Sequence, residues 1–246
     1  MNATIRAHNR VIAMPAAVRP LLQRLGREAA ARGVAAYAVG GCVRDWWLGR
    51  RGIVDVDVVV EGDGIDFAQA MARELAAPLT THRQFGTATL TVNGGLRLDV
   101  ATCRKESYAR PAAYPTVAPG TLRDDLFRRD FTINAMALAL APERFGARID
   151  PFGGARDLAA RRLRILHPRS FTDDPSRILR AARFAPRYHL RLGAATRLAL
   201  RAALADGGLQ RLNRGRLRKE LAQMLREPDP VACLDLLGRW LTTTRP

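Results

Sequence analysis

Lysine is almost absent from this chain: Lys105 and Lys219 are its only two, so 38 of the 40 basic residues are arginine. Alongside abundant alanine, that skew resembles a GC-rich coding bias, which inflates arginine without selection for a ligand. It does not explain the shortage of acids, 23 against 40 bases, or the net charge of +17. A surplus of that size points to a polyanionic partner such as nucleic acid. Cysteine is scarce as well. Cys42, Cys103 and Cys233 are odd in number and form no C-x-x-C pair, which argues against a disulfide framework or a zinc site. The histidines His8, His82, His167 and His189 are scattered and read as filler, not ligands. No apolar run approaches membrane-spanning length, and residues 1–14 lack the apolar stretch of a secretory signal. A cytoplasmic protein with no membrane attachment is expected. Internal repeats and low-complexity tracts are missing too.

What is present suffices for a sizeable core: 246 residues, 48% of them hydrophobic, make one large domain or two small ones. Residues 1–14 are polar and weakly patterned, and a flexible arm is expected there. Pro15 to Arg32 has Val18, Leu21, Leu22, Leu25 and Ala29 on one helical face, with Gly33 as its stop. A short strand over Ala35–Val39 and a short helix over Val43–Leu48 should follow, then a strand, a helix from Ile65 to Leu75, and a hairpin. The hairpin strands, Thr87–Val92 and Leu96–Val100, flank the turn signal Asn93-Gly94. This order predicts an α+β fold, a small mixed sheet with helices on one side. Residues 101–120 carry charge, prolines and tyrosines with little periodicity, so a long functional loop is expected. From Leu122 the chain reads as helical, with helices near 172–186, 194–206, 213–226 and 229–240. The expected organisation is an arm (1–14), a catalytic head (15–145) and a helical neck (146–246).

The head carries the first chemical signal. Ile53-Val54-Asp55-Val56-Asp57-Val58-Val59-Val60 is β-branched and fits no helical period. Side chains alternate along a strand, so Asp55 and Asp57 share one face while Val56 points into the core. One aspartate capping a turn and one at a solvated edge would be the bland explanation. Two carboxylates on a strand that is otherwise buried are costly without positive charge between them. Two Mg²⁺ ions holding a nucleoside triphosphate would supply it. The upstream run Gly40-Gly41-Cys42-Val43-Arg44-Asp45 favours this reading. Glycines let a backbone approach phosphates, and Arg44 can reach a triphosphate or ribose.

The second signal is Asp173-Asp174-Pro175-Ser176-Arg177-Ile178-Leu179-Arg180-Ala181-Ala182-Arg183-Phe184. Asp174 as N-cap and Pro175 at the first helical position explain the helix start but not the arginines. Arg177, Arg180 and Arg183 recur every third residue, drifting about 60° per step, and form one stripe. That stripe is either a solvated basic face or a nucleotide-facing one. Adenine and cytosine share an exocyclic amino donor beside a ring-nitrogen acceptor. A carboxylate and an arginine one turn apart, Asp174 and Arg177, would accept both and reject uracil and guanine.

Together with Arg128-Arg129-Asp130-Phe131-Thr132-Ile133-Asn134-Ala135, these motifs resemble the class II tRNA nucleotidyltransferase and bacterial poly(A) polymerase family, within the polymerase β-type nucleotidyltransferase superfamily. The resemblance spans about residues 35–225. It implies that Asp55 and Asp57 hold two Mg²⁺ ions. A third carboxylate, Asp99, would arrive from a neighbouring strand, although a solvated strand face explains Asp99 equally well. It implies that Gly40, Gly41, Arg44, Arg129, Arg180 and Arg183 bind triphosphate and sugar, and that Asp174 and Arg177 read the base. The expected reaction is template-independent addition of CCA, or its terminal A, to the tRNA 3′ end from CTP and ATP. Poly(A) synthesis on other RNA ends is the alternative, and a non-catalytic RNA-binding module a second. The loop at 101–120 resembles one that reshapes the family's site between additions, which favours A or CCA addition over CC alone. In Arg211-Leu212-Asn213-Arg214-Gly215-Arg216, Gly215 stands where the family has an acid, so no function is carried over to Arg216. The chain lacks most of the body and tail usual in the family, which implies a naturally compact form, a truncated one, or a partner that supplies the grip on the tRNA.

Overall fold

The computed structural model describes residues 8–50, 52, 55–92 and 94–243. Among these, ten α-helices and twelve strands follow one another along the chain. The strands are β1 (His8–Val11), β2 (Ala35–Val39), β3 (Asp55–Glu61), β4 (Leu79–His82), β5 (Thr87–Val92), β6 (Leu96–Thr102), β7 (Arg104–Ser107), β8 (Thr116–Pro119), β9 (Ala137–Ala139), β10 (Ala147–Ile149), β11 (Arg162–Leu163) and β12 (Arg191–Leu192). The helices are α1 (Arg19–Ala31), α2 (Gly41–Trp47), α3 (Gly64–Leu75), α4 (Leu122–Phe127), α5 (Gly154–Ala159), α6 (Ser170–Asp173), α7 (Ser176–Arg187), α8 (Ala194–Ala205), α9 (Arg214–Leu225) and α10 (Pro230–Thr243). No helix among the described residues is long and apolar enough to cross a membrane.

The chain divides into two units that interleave in sequence. The first comprises residues 1–105, 117–129 and 133–155; the second comprises 106–116, 130–132 and 156–246. A single cut near 145 was expected, and two short segments instead pass from the head's stretch of sequence into the second unit.

The first unit is built on an eight-stranded mixed sheet in the order β1-β10-β9-β2-β3-β6-β5-β4. Only β3 and β6 run parallel in it. The β-branched run places Val56, Val58 and Val60 in the core at 2% exposure or less, as the alternation predicts. Helix α1 buries Leu21, Leu22, Leu25 and Ala29, the face read from sequence. It lies so close to the sheet that a Cβ on Gly26 would stand 1.8 Å from the Leu140 carbonyl oxygen. Helix α3 starts where Asp63 accepts hydrogen bonds from the Ile65 and Asp66 amides, a regular N-cap.

Three expectations are corrected. The arm at 1–14 is not loose over its second half, since β1 pairs with β10 and Ile12 is buried; residues 1–7 lie outside the described ones. The stretch 101–120 is not irregular throughout, because β7 and β8 pair as a two-stranded sheet within it. The chain after Leu122 is not wholly helical, since β9 and β10 join the main sheet.

The second unit is mainly α6–α10, with the parallel pair β11 and β12. An aromatic cluster sits in its otherwise aliphatic core. Phe131 meets Phe184 edge-on at 6.1 Å and Phe171 at 6.4 Å, and Phe184 meets Tyr188 at 6.1 Å, separations at which such pairs attract beyond their buried area.

Candidate active site

In the first unit, parallel register sets Asp55 beside Arg97 and Asp57 beside Asp99, while β5 places Thr89 beside Asp99. Cross-strand neighbours share a face, so a row of polar side chains runs across three strands. Asp55 and Asp57 open to solvent while Val56 between them is fully buried. Desolvation by the surrounding protein raises the Asp57 carboxyl above its ordinary value; Arg129 opposes the shift, and Asp99 and Asp55 add to it. The site therefore stores like-charge repulsion.

Asp99 is more restrained. Its carboxylate accepts from Thr89 Oγ1 at 2.5 Å and from Arg97 Nη2 at 3.1 Å. Among the described residues no three His, Cys, Asp or Glu side chains converge tightly enough to cage a metal. Asp99 nevertheless stands beside Asp57 in the register of β3 and β6, held by Arg97 and Thr89. The two strand aspartates still suit Mg²⁺, which takes hard oxygen ligands and is commonly held by one or two carboxylates plus substrate phosphates.

Gly40 and Gly41 open α2. Gly40 has φ +77° and ψ −131°, a backbone state that side chains disfavour. A Cβ there would stand 2.5 Å from Arg129 Nη1 and 3.8 Å from Asp57 Oδ2. The glycine lets the guanidinium lie against the loop beside the carboxylate row. Arg129 is aimed from behind, because Asp125, fully buried, accepts from its Nη2 at 3.0 Å and from Arg128 Nη2 at 2.6 Å. Burial would raise the Asp125 carboxyl, but Arg129 and Arg128 outweigh it and hold it below the ordinary range. Arg44 is no mobile arm. Buried at 5% exposure, it donates to Asp45 at 3.0 and 3.1 Å and to Asn134 Oδ1. Gly41 lies alongside, its Cβ position 3.6 Å from Arg44 Nη2. Cys42 is inert here: burial first and the Asp57 charge second push its thiol up to about 12.

The second unit holds Asp174, Arg177, Arg180 and Arg183. Helix α7 begins at Ser176, so Pro175 rather than Asp174 holds the N-cap position; Asp174, just before it, accepts from the Ser176 amide at 3.0 Å. The same Oδ1 receives the Arg216 guanidinium. Arg177 Nε stands 3.9 Å from Asp174 Oδ2, while its Nη1 donates to Ser170 Oγ at 2.7 Å. The solvated-stripe explanation is overturned, because Arg177 and Arg183 are buried at 4% and 9% exposure. Arg180 donates to Asp130 at 2.6–2.8 Å. Arg183 and Arg187 share Glu227, at 3.4 and 3.1 Å. Desolvation lowers the Arg180 pKa, but Asp130 and Glu220 more than offset it and leave it raised; Arg183, desolvated and beside Arg180, is lowered. These two arginines are thus anchored by acids rather than left as bare cations. Residues 106–116 join this unit, with Tyr114 under the Arg216 guanidinium at 5.8 Å and the Ala112 amide bonded to the Thr172 carbonyl.

Sequence reasoning missed Asp125, Asn134, Asp130 and Arg216 as positioning groups. Asp130 lay inside a quoted motif, and Asp125 follows Asp124, whose carboxylate completes the capping box of α4. One of two adjacent acids was therefore surplus to the helix start, which is a faint signal at best.

The family described as poly A polymerase head domain matches residues 36–164. The chain belongs to this family. An A-adding tRNA nucleotidyltransferase of Aquifex aeolicus is 47% identical over 83% of this chain and 25% of its own length. A CC-adding tRNA nucleotidyltransferase of Deinococcus radiodurans is 42% identical over 82% of this chain and 53% of its own. Among solved structures, a tRNA nucleotidyltransferase complexed with a primer tRNA and an incoming ATP analogue superposes with a TM-score of 0.81. It is 44% identical, over 89% of this chain and 60% of that one. The chain thus spans between a quarter and three fifths of the length of these family members.

Proposed function

We propose that this chain carries the nucleotidyl-transfer machinery that adds the terminal A, or the whole CCA, to the tRNA 3′ end from ATP and CTP. The reaction is attack by the RNA 3′-hydroxyl on the α-phosphorus, with pyrophosphate leaving. The observation that carries the reading is the pair Asp55 and Asp57, displayed on the open face of β3 with Arg129 pinned beside them through Gly40. Asp55 and Asp57 would hold two Mg²⁺ ions, which when bound supply charge neutralisation at the attacking and leaving oxygens. Arg129, aimed by Asp125, offers a fixed positive charge to the triphosphate without having to reorganise. Arg44 and its ties to Asp45 and Asn134 keep the Gly40-Gly41 turn rigid. Asp174 and Arg177 supply the acceptor and donor that an adenine or cytosine edge requires. Arg180 and Arg183 then act as the brace behind that helix, and reach sugar or phosphate only by exchanging an acid partner. A tRNA substrate points to the cytoplasm as the site of action.

The family description favours one second reading, poly(A) addition to other RNA ends. Nucleotide incorporation with Mg²⁺, offering each of the four triphosphates to tRNAs lacking CCA, CA or A, tests both. Addition that stops after A supports the proposal, and unlimited A addition supports the second reading. Absence of incorporation on every substrate would favour a binding-only module and overturn the proposed chemistry.

A further inference from the structure

Most arginines described above have an acid close by; among the described residues, one group of arginines in the second unit has only Asp157, 3.9 Å from Arg162. Strands β11 and β12 run parallel with Arg162 directly opposite Arg191, and the leucines that follow them, Leu163 and Leu192, are buried. Like charges placed opposite one another on a sheet repel. The residues leading into this pair are held in left-handed backbone: Arg161 at φ +48° and His189 at φ +52°, a conformation that costs energy in a non-glycine residue. These side chains, with Arg197, line an open cavity of about 710 Å³. The acid within reach is Asp157, 3.9 Å from Arg162, and it is already engaged by Arg164 at 2.8 Å. Arg197 spends one Nη on the Leu192 carbonyl. Elsewhere the comparison is plain: Arg24 meets Glu74, Arg211 meets Asp206 and Arg239 meets Asp235.

We infer that Arg161, Arg162, His189, Arg191 and Arg197 form a binding site for RNA backbone phosphates, apart from the residues assigned to the nucleotide. The inference rests on the proposed reading that the substrate is an RNA. Left-handed backbone at Arg161 and His189 and two arginines at paired strand positions are an unfavourable arrangement for an empty surface. Arginine forks suit phosphate oxygens, and a wide cavity open to solvent suits a polymer's backbone better than a buried small anion. No base edge is read there, so the contact holds the RNA whatever its sequence.

The test is tRNA affinity against salt concentration, together with steady-state incorporation, for the double variant Arg162→Gln/Arg191→Gln and its charge-keeping partner Arg162→Lys/Arg191→Lys. The glutamine variant should lose about one unit of salt slope per arginine and about an order of magnitude in affinity. Its KM for tRNA should rise to match, with kcat and the KM for ATP unchanged, and the lysine variant should restore most of the slope. Unchanged slope and KM in a wild type that does bind tRNA would overturn this site while leaving the proposed function intact. Titration with inorganic phosphate alone separates the sources: phosphate binding lost in the glutamine variant with tRNA affinity retained would make it a free-anion site and overturn the inference. A wild type that binds no tRNA would remove both the inference and the reading beneath it.

Discussion

Arg129 Nη1 stands 2.5 Å from the point a Cβ on Gly40 would occupy. The loop and the arginine are therefore fitted to one another, and a side chain at position 40 requires the guanidinium to shift. Gly40→Ala should displace the guanidinium from the carboxylate row and strain a backbone at φ +77°. We expect a loss of about 1–3 kcal/mol in stability by denaturant titration. Incorporation should fall well beyond what the unfolded fraction explains, with tRNA affinity kept.

Asp55→Ala removes one of the two open carboxylates while leaving buried Val56 and Val58 in place. Incorporation should drop by about a thousandfold or more, with tRNA binding largely unchanged by filter retention. Activity within a few-fold of wild type would disprove the assignment of β3 as the catalytic strand.

Arg216 is tied to the Asp174 oxygen that also accepts from the Ser176 amide at the start of α7. If that bond orients the carboxylate for the base, Arg216→Ala should raise the KM for ATP and CTP about fivefold. It should also weaken discrimination against UTP and GTP, measured with each triphosphate in turn. A uniform fall in kcat with discrimination intact would mean that Arg216 serves only the helix start.

Acid should loosen the first unit through Asp125. Its folded pKa is lowered, because Arg129 and Arg128 outweigh the effect of burial, while in the unfolded chain it returns to about 3.9. The stability it contributes is therefore fully present above that value and is lost as pH falls through the folded one. Asp125→Asn should cost about 3 kcal/mol near neutrality and flatten the acid limb of a melting-temperature profile. An acid limb as steep as in wild type would place the sensitive carboxylate elsewhere.

Long periodic elements were legible in the sequence. The five apolar residues assigned to the inner face of α1 are all buried, and the alternation around Val56 held residue by residue. The short strands were not. Ala137-Leu138-Ala139 is buried on both faces, so it shows no alternation and reads as easily as helix. His8–Val11 is polar and gains its place only by pairing with Arg148 and Ala147, far along the chain. At the candidate site, composition and spacing picked out Asp55 and Asp57 because both sit in one strand. Periodicity also grouped Arg177, Arg180 and Arg183 but could not say what covers them. The answer, Asp130 for Arg180 and Glu227 for Arg183, lies some fifty residues away in one case and forty-four in the other, beyond any local pattern.

The parallel pairing of β3 with β6 has a consequence for how the protein comes into being. Asp57 meets Asp99 only after α3, β4 and β5 have been laid between them, and closing such a non-local contact is slow. During synthesis β3 is made long before its parallel neighbour. A partly folded chain is therefore expected to carry Asp55 and Asp57 on β3 before Asp99 stands beside them.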